Sequence, residues 1–290
     1  MSDQIVVGFD GSPDAQSALE WAIREATSRR LGIRVVYVEP DLSGWDASAA
    51  TMSGAPVLAN VLPHDPIAIL DPALEQVRGA GLAVTSEALS GSTAGVLVEQ
   101  SRTAHLLVIG SRGVGSISSI VLGSTVAHVA AHGHCPVIVV RAEGAPDGPV
   151  VVGADGSPES QEVVGWAFDH ASRHGLTLEV LHAYSIPVYP GVVPYVPPVE
   201  ITEATAAFEE RVTREVLAGW GEQYPDVVVT TRVLHGRPAP ALIEASQRAS
   251  LTVVGSRGRG AFLGMLLGST SLSLLQHAHG SVAVLRKHKH

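Results

Sequence analysis

Cysteine is nearly absent from this chain, since Cys135 is the only one among 290 residues. A single cysteine excludes an intrachain disulfide and is typical of proteins that work in a reducing compartment. We therefore expect a fold that depends on its hydrophobic core, and a cytoplasmic location.

Long apolar runs and an excess of positive charge are also missing. No stretch approaches the roughly 18 apolar residues of a membrane span, and the N-terminus lacks the basic and apolar regions of a signal peptide. The net charge is −9, which argues against nucleic acid as the main partner because such proteins usually carry a basic face. We expect neither a membrane nor a nucleic acid as partner. A nucleotide stays possible, because backbone N–H groups can hold phosphates without net positive charge.

The chain consists of two copies of one unit at a constant offset of 145 residues. The segment Ile5–Pro13 matches Val150–Pro158, and Trp21 pairs with Trp166 at the same spacing. A Gly- and Pro-rich link over residues 143–149 lies between the copies, as is usual at a domain boundary. The predicted domains are residues 1–145 and 146–290.

Each copy alternates between short apolar runs and helical patterns. In the first copy, strands are predicted at 5–9, 33–38, 82–88, 105–109 and 137–141, and helices at 14–30, 67–80, 94–102 and from 126. The second helix is expected to break or restart at Pro72. Such alternation predicts an α/β fold, in which helices cover both faces of a parallel sheet.

A glycine-rich stretch follows the fourth strand of each copy. Residues 110–125 and 255–270 are identical at nine of sixteen positions, and every glycine of the first stretch is kept in the second. Glycine lets a backbone approach a ligand closely, and a helix start attracts phosphate. The alternative is a tight connection that binds nothing. The P-loop pattern is absent, so no lysine is placed on terminal phosphates.

An aspartate ends the first strand of each copy, Asp10 and Asp155, within Asp-Gly-Ser-Pro. Ligands of parallel α/β sheets bind beyond the carboxyl ends of the strands. These carboxylates are candidates for contact with a ribose or with Mg²⁺ beside phosphates. The alternative is an Asx turn that leads into the helix.

The spacing Gly-x2-Gly-x9-Gly-(Ser/Thr), found twice, resembles that of the nucleotide-binding class of universal stress proteins. The resemblance covers nearly the whole chain. It implies two tandem Rossmann-like domains of the adenine nucleotide alpha hydrolase type, each a five-stranded parallel sheet of order 3-2-1-4-5 that binds ATP. It also implies the following nucleotide-contacting residues: Gly8, Asp10, Val38, Gly110, Gly113, Gly123, Ser124 and Thr125 in the first copy, and Gly153, Asp155, Ala183, Gly255, Arg257, Gly258, Gly268, Ser269 and Thr270 in the second.

The copies differ inside the glycine-rich stretch, where Val114, Ser116 and Ile117 are replaced by Arg259, Ala261 and Phe262. We therefore expect the two affinities to differ. The family also pairs its last strands between partners. This implies that strands 137–140 and 282–285 make a pseudo-dimer within one chain, with a homodimer of tandem chains as a further possibility.

The resemblance implies a regulatory ATP-binding protein of the stress response, with one nucleotide per domain and no dedicated catalytic machinery. Two alternatives stay open: a slow Mg²⁺-dependent ATPase, in which Asp10 or Asp155 holds the metal, and a binder of another adenine nucleotide such as cyclic AMP.

A second candidate metal site is formed by His128, His132 and His134, near the end of a helix. Zinc is one interpretation. The other, which we favour, is that the dipole at the helix C-terminus stabilises these histidines.

Overall fold

The computed structural model describes residues 4–39, 65–113, 123–141, 144–185, 199–258 and 266–286. The chain divides into two compact units, Met1–Ala142 and Glu143–His290. The loop interiors in which the copies differ lie outside the described residues.

The first unit is a parallel sheet whose strands alternate with helices. Its elements in chain order are β1 (Gln4–Gly8), α1 (Pro13–Arg29), β2 (Gly32–Glu39), α2 (Pro66–Gly79), β3 (Val84–Ser90), α3 (Thr93–Gln100) with a 3₁₀ turn (Ser101–Thr103), β4 (Leu106–Gly110), α4 (Ser124–His132) and β5 (Val137–Val140). The strand order is β3-β2-β1-β4-β5, and every pair is parallel.

The second unit repeats this arrangement. Its elements are β6 (Val150–Gly153), α5 (Pro158–His174), β7 (Leu178–Tyr184), α6 (Val199–Leu217), α7 (Trp220–Gln223), β8 (Val229–His235), α8 (Pro238–Ser246), β9 (Leu251–Gly255), α9 (Ser269–His277) and β10 (Val282–Leu285). Its strand order is β8-β7-β6-β9-β10, again all parallel. Counted within each unit, both orders are 3-2-1-4-5, which confirms the predicted sheet.

The first helix of each unit starts in the same way. Ser12 accepts a hydrogen bond from the Ala15 backbone N–H (3.2 Å), and Ser157 accepts one from Ser160 N–H (3.2 Å). A serine N-cap followed by proline at the first helical position is a strong helix start. The N-cap of α1 is therefore Ser12, and that of α5 is Ser157.

Two of the differences from the sequence prediction have a physical reason in the structure. Helix α2 is continuous through Pro72. Pro72 is exposed, so water can satisfy the carbonyl group that loses its intrahelical partner. Strand β3 begins at Val84 rather than Leu82, because Gly81 adopts φ +76° and keeps the chain in a turn until after Leu82.

An ion pair between neighbouring strands has opposite polarity in the two units. In the first unit, Arg34 Nη1 of β2 lies 3.5 Å from Glu87 Oε1 of β3. In the second unit the matching positions are Glu179 and Arg232, and Arg232 Nη1 lies 3.3 Å from Glu179 Oε1. Arg248 also donates to both Glu179 oxygens, at 2.7 and 2.6 Å.

Candidate functional site

A cavity of about 380 Å³ opens at the carboxyl ends of β1 and β4 in the first unit. In this strand order the chain reverses direction across the sheet between β1 and β4, which is where ligands bind in open parallel sheets. The volume is within the range of about 300–1,000 Å³ usual for small-molecule pockets. All the site residues predicted in the first copy line it: Gly8, Asp10, Val38, Gly110, Gly113, Gly123, Ser124 and Thr125.

Asp10 forms the Asx turn considered from the sequence, and it also lines the cavity. Its Oδ1 accepts a hydrogen bond from the Ser12 backbone N–H at 3.0 Å, which forms the Asx turn. Its Oδ2 faces the glycine-rich stretch, since a Cβ atom added to Gly113 would lie 2.7 Å away. The turn therefore holds the carboxylate against the backbone of the loop, inside the cavity.

Helix α4 begins at the edge of this cavity. Gly123 is its N-cap, and no side chain caps the first turn. The first N–H groups of a helix lack intrahelical partners, and the helix dipole adds partial positive charge there. Ser124 and Thr125, both in the cavity wall, thus belong to a surface that suits an anion.

Part of the cavity wall is apolar. Phe9, Val36, Ile69 and Leu97 contribute to it, together with Tyr37. Burial raises the pKa of the Tyr37 hydroxyl, and the negative charges of Glu39 and Asp10 raise it further. Tyr37 is therefore neutral at physiological pH. A cavity wall that combines apolar side chains with a helix start matches a ligand that has an apolar part and an anionic part.

Sequence reasoning missed an arginine in the cavity wall. Arg112 Nε donates to Asp14 Oδ2 at 3.0 Å, and Arg112 Nη2 donates to Asp14 Oδ1 at 3.1 Å. Ser111 Oγ donates to the same Oδ2 at 2.7 Å. Burial raises the pKa of Asp14, but these hydrogen bonds and the charge of Arg112 outweigh it, so that the net shift is downward. The repeat could have revealed Arg112, because it matches Arg257, which was among the predicted site residues.

The second unit places its predicted residues in a similar way. Asp155 Oδ1 accepts hydrogen bonds from Ser157 N–H (2.9 Å) and Ser157 Oγ (2.6 Å). A Cβ atom added to Gly258 would lie 2.6 Å from Asp155 Oδ2.

Helix α9 begins at Ser269, followed by Thr270, with Gly268 as an N-cap and no capping side chain. The remaining predicted residues of this unit lie at the ends of β6, β7 and β9 or directly after them: Gly153, Ala183, Gly255 and Arg257.

Magnesium fits a single carboxylate beside phosphate oxygens, because Mg²⁺ usually keeps several waters and takes few protein ligands. The positions of Asp10 and Asp155 are compatible with that role.

Within the described residues, the three candidate zinc ligands belong to no group of three ligand atoms within 4.8 Å of one another. Instead, the rings of His128 and His132 stack at 4.1 Å between centroids, and His132 Nδ1 lies 2.9 Å from the His128 carbonyl oxygen. This geometry agrees with the interpretation of helix-end histidines.

None of the described helices is both long enough and apolar enough to cross a bilayer.

Known proteins resemble this chain along its whole length. The model of the "Universal stress protein family" matches residues 1–141 and again 148–286. Universal stress protein Rv2623 of Mycobacterium tuberculosis is 36% identical over 297 residues, covering 98% of this chain and 96% of the relative. Universal stress protein Rv1996 of the same species is 38% identical, with coverages of 97% and 94%. The chain belongs to the universal stress protein family.

Solved structures agree with the fold of this universal stress protein. A protein of unknown function from Pseudomonas aeruginosa PAO1 superimposes with a TM-score of 0.71 at 17% identity, covering 99% of this chain and 93% of the other. A universal stress protein from Archaeoglobus fulgidus gives 0.64 at 20% identity and covers 99% of both chains. The two matched regions make the chain a tandem member of this stress-response family, with Rossmann-like α/β domains.

Proposed function

We propose that this tandem universal stress protein binds an adenine nucleotide, and specifically ATP, at the carboxyl end of the sheet in each unit. The protein would act in the cytoplasm as a regulator whose state depends on nucleotide level. One observation carries the proposal: the first cavity joins an apolar wall to a carboxylate, a glycine-rich backbone and an uncapped helix start.

Each part of the cavity suits one part of the ligand. The apolar wall around Tyr37 and Val38 is suited to a base. The backbone N–H and C=O groups at the end of β2 can form hydrogen bonds with the edge of that base. Asp10 is placed to accept hydrogen bonds from ribose hydroxyls. At Gly113 and in the first turn of α4, backbone N–H groups can approach and bind the phosphates.

Ligand binding gives such a protein a means of regulation. A ligand that binds only the folded state stabilises it by about 2.7 kcal/mol at a concentration of 100 times Kd. Nucleotide level would thereby set the population of the conformation that partner proteins recognise.

The position of Asp10 beside the loop favours one alternative function, a slow ATPase that uses Mg²⁺. Phosphoryl transfer depends mainly on positioning and charge, so a carboxylate-held metal could support it without a nucleophilic side chain. Single-turnover hydrolysis of bound ATP with and without Mg²⁺ separates the two functions. Hydrolysis that requires Mg²⁺ and is lost in Asp10→Asn would favour the enzyme.

The proposal is tested by mass spectrometry of nucleotide released from the purified protein, together with calorimetry using ATP, ADP, AMP and cyclic AMP. We expect ATP to be released, with binding to both units. Release of cyclic AMP would replace ATP as the ligand. Absence of heat with every adenine compound would contradict the proposal.

A further inference from the structure

Arg112 and Arg257 occupy matching positions in the two units but have different surroundings. In the first unit both hydrogen-bonding edges of the Asp14 carboxylate engage Arg112, and Ser111 donates to it as well. The Asp14 side chain is only 10% exposed. The carboxylate therefore fixes the orientation of the guanidinium and balances its charge at the wall of the cavity.

Among the described residues of the second unit, Arg257 has no ion pair that matches that of Arg112. Glu159 occupies the position that matches Asp14, and both Glu159 and Arg257 are exposed. Ser160, on the next residue of the helix, accepts a hydrogen bond from Asp155 N–H at 3.1 Å. In the part of the chain that the structure describes, Arg257 forms no ion pair.

Arg286 lies near Arg257, and its counterpart in the first unit is Arg141. Burial lowers the pKa of Arg286, and the positive charge of Arg257 lowers it further. Arg286 directly follows β10, which pairs with β9 at Leu285 and Gly255. Both arginines therefore lie at the sheet edge that carries Asp155 and Gly258, and their charges repel each other.

We propose that the two units discriminate between adenine nucleotides by phosphate charge. The second unit, with Arg257 unmatched by a carboxylate, selects the triphosphate strongly over the monophosphate. The first unit, where Asp14 balances the charge of Arg112, selects the triphosphate over the monophosphate much less strongly. The inference rests on the proposed function, because it assigns a ligand preference to each of those sites.

Simple electrostatics gives the direction of the effect. An added phosphate group gains attraction from an unbalanced guanidinium, whereas a guanidinium–carboxylate pair offers little net field. A guanidinium without a fixed partner loses conformational freedom when it orders against the ligand. Only a highly charged phosphate chain attracts it strongly enough to offset that loss, so the gain in affinity appears for the triphosphate. Binding at the second site should also weaken more steeply with salt.

The experiment measures Kd for ATP and AMP at each site separately. Gly258→Asp places a carboxylate beside Asp155 and blocks the second site, and Gly113→Asp blocks the first in the same way. We expect the ratio of AMP Kd to ATP Kd to be about tenfold larger at the second site than at the first, as expected for one further charge-assisted interaction. The difference should shrink in 0.5 M salt.

Two further variants connect the effect to the arginines. Arg257→Gln should reduce the ratio at the second site to that of the first, without loss of fold, because the side chain is exposed. Asp14→Asn should raise the ratio at the first site, and thermal unfolding checks that this variant is folded.

Equal ratios at the two sites, or a ratio at the second site that Arg257→Gln leaves unchanged, would overturn the inference while nucleotide binding stands. Failure of the unaltered protein to bind either nucleotide would overturn the proposed function and this inference together.

Discussion

Gly113 and Asp10 approach so closely that a Cβ atom at Gly113 would lie 2.7 Å from Asp10 Oδ2. The second unit has the same relationship between Gly258 and Asp155, at 2.6 Å. In each unit the absence of a side chain on the loop lets the carboxylate lie against the loop backbone. The aspartate after the first strand and the second glycine of the glycine-rich stretch, which both copies share, therefore pack against each other in each unit.

Alanine at these glycines should weaken nucleotide binding. In Gly113→Ala the methyl group must displace the Asp10 carboxylate, and we expect about a tenfold loss of affinity at the first site from the misplaced groups. Gly258→Ala should do the same at the second site. Calorimetry with ATP measures both effects.

The matched controls are Gly79→Ala and Gly221→Ala, since nothing lies within 4 Å of a Cβ atom at either position. Both should retain full affinity. ATP binding that persists unchanged in the Gly113→Ala, Gly258→Ala double variant would mean that the loops do not hold the nucleotide.

Gly110 should be far less tolerant of substitution than Gly255, for a reason of packing. A Cβ atom at Gly110 would lie 2.7 and 2.8 Å from the backbone carbonyl carbon and oxygen of Asp14, where α1 crosses the strand end. At Gly255 the nearest atom, Arg257 O, is 3.0 Å away. We expect Gly110→Ala to lower the free energy of unfolding by about 3 kcal/mol and Gly255→Ala by about 1 kcal/mol.

Urea unfolding of the two variants measures this difference. Equal losses would show that α1 can shift away from β4 at little cost.

The Asp14–Arg112 pair should stabilise the protein in a pH-dependent way. The pKa of Asp14 is lowered in the folded protein, so its contribution is present above the ordinary value of 3.8 and is lost as pH falls through the folded value. We expect Asp14→Asn to lose about 1–2 kcal/mol at pH 7. This deficit should narrow below about pH 4.

The midpoint of urea unfolding, measured for the unaltered protein and for Asp14→Asn between pH 7 and pH 3, reports how this loss of stability changes with pH. Asp71→Asn, at an exposed position of α2, provides the matched control. A deficit that stays constant down to pH 3 would rule out ionisation of Asp14 as its source.

Cys135 should be unreactive in the folded protein. Burial raises the pKa of its thiol to about 12, so the reactive thiolate is scarce at pH 8. We expect thiol-disulfide reagents to label Cys135 at the rate of unfolding, and immediately in guanidinium. Because the pKa is raised, this residue contributes stability that is lost as pH rises from about 9 towards about 12. Cys135→Ala should remove that alkaline loss, and fast labelling of the native protein would contradict the prediction.

The sequence predicted much of this structure because the repeat supplies every pattern twice. The alternation of strands and helices and the parallel sheets follow from local patterns. The set of first-copy residues that line one cavity follows from the family resemblance. The ion pair of Asp14 with Arg112 did not, since it joins residues 98 positions apart, and no periodicity reports such a contact. Tyr37 was missed for a similar reason: the strand pattern predicts burial, but it does not show which residues of other elements line a cavity with it.

The reversed polarity of the inter-strand ion pairs lets the chain distinguish its two halves. Strand exchange between the repeats, a misfolding hazard of near-duplicate domains, would bring Arg34 beside Arg232 and Glu179 beside Glu87. Each such register would bury or crowd like charges, whereas the native register matches opposite ones. Divergence at these positions would thus act against domain swapping while both halves keep the same topology.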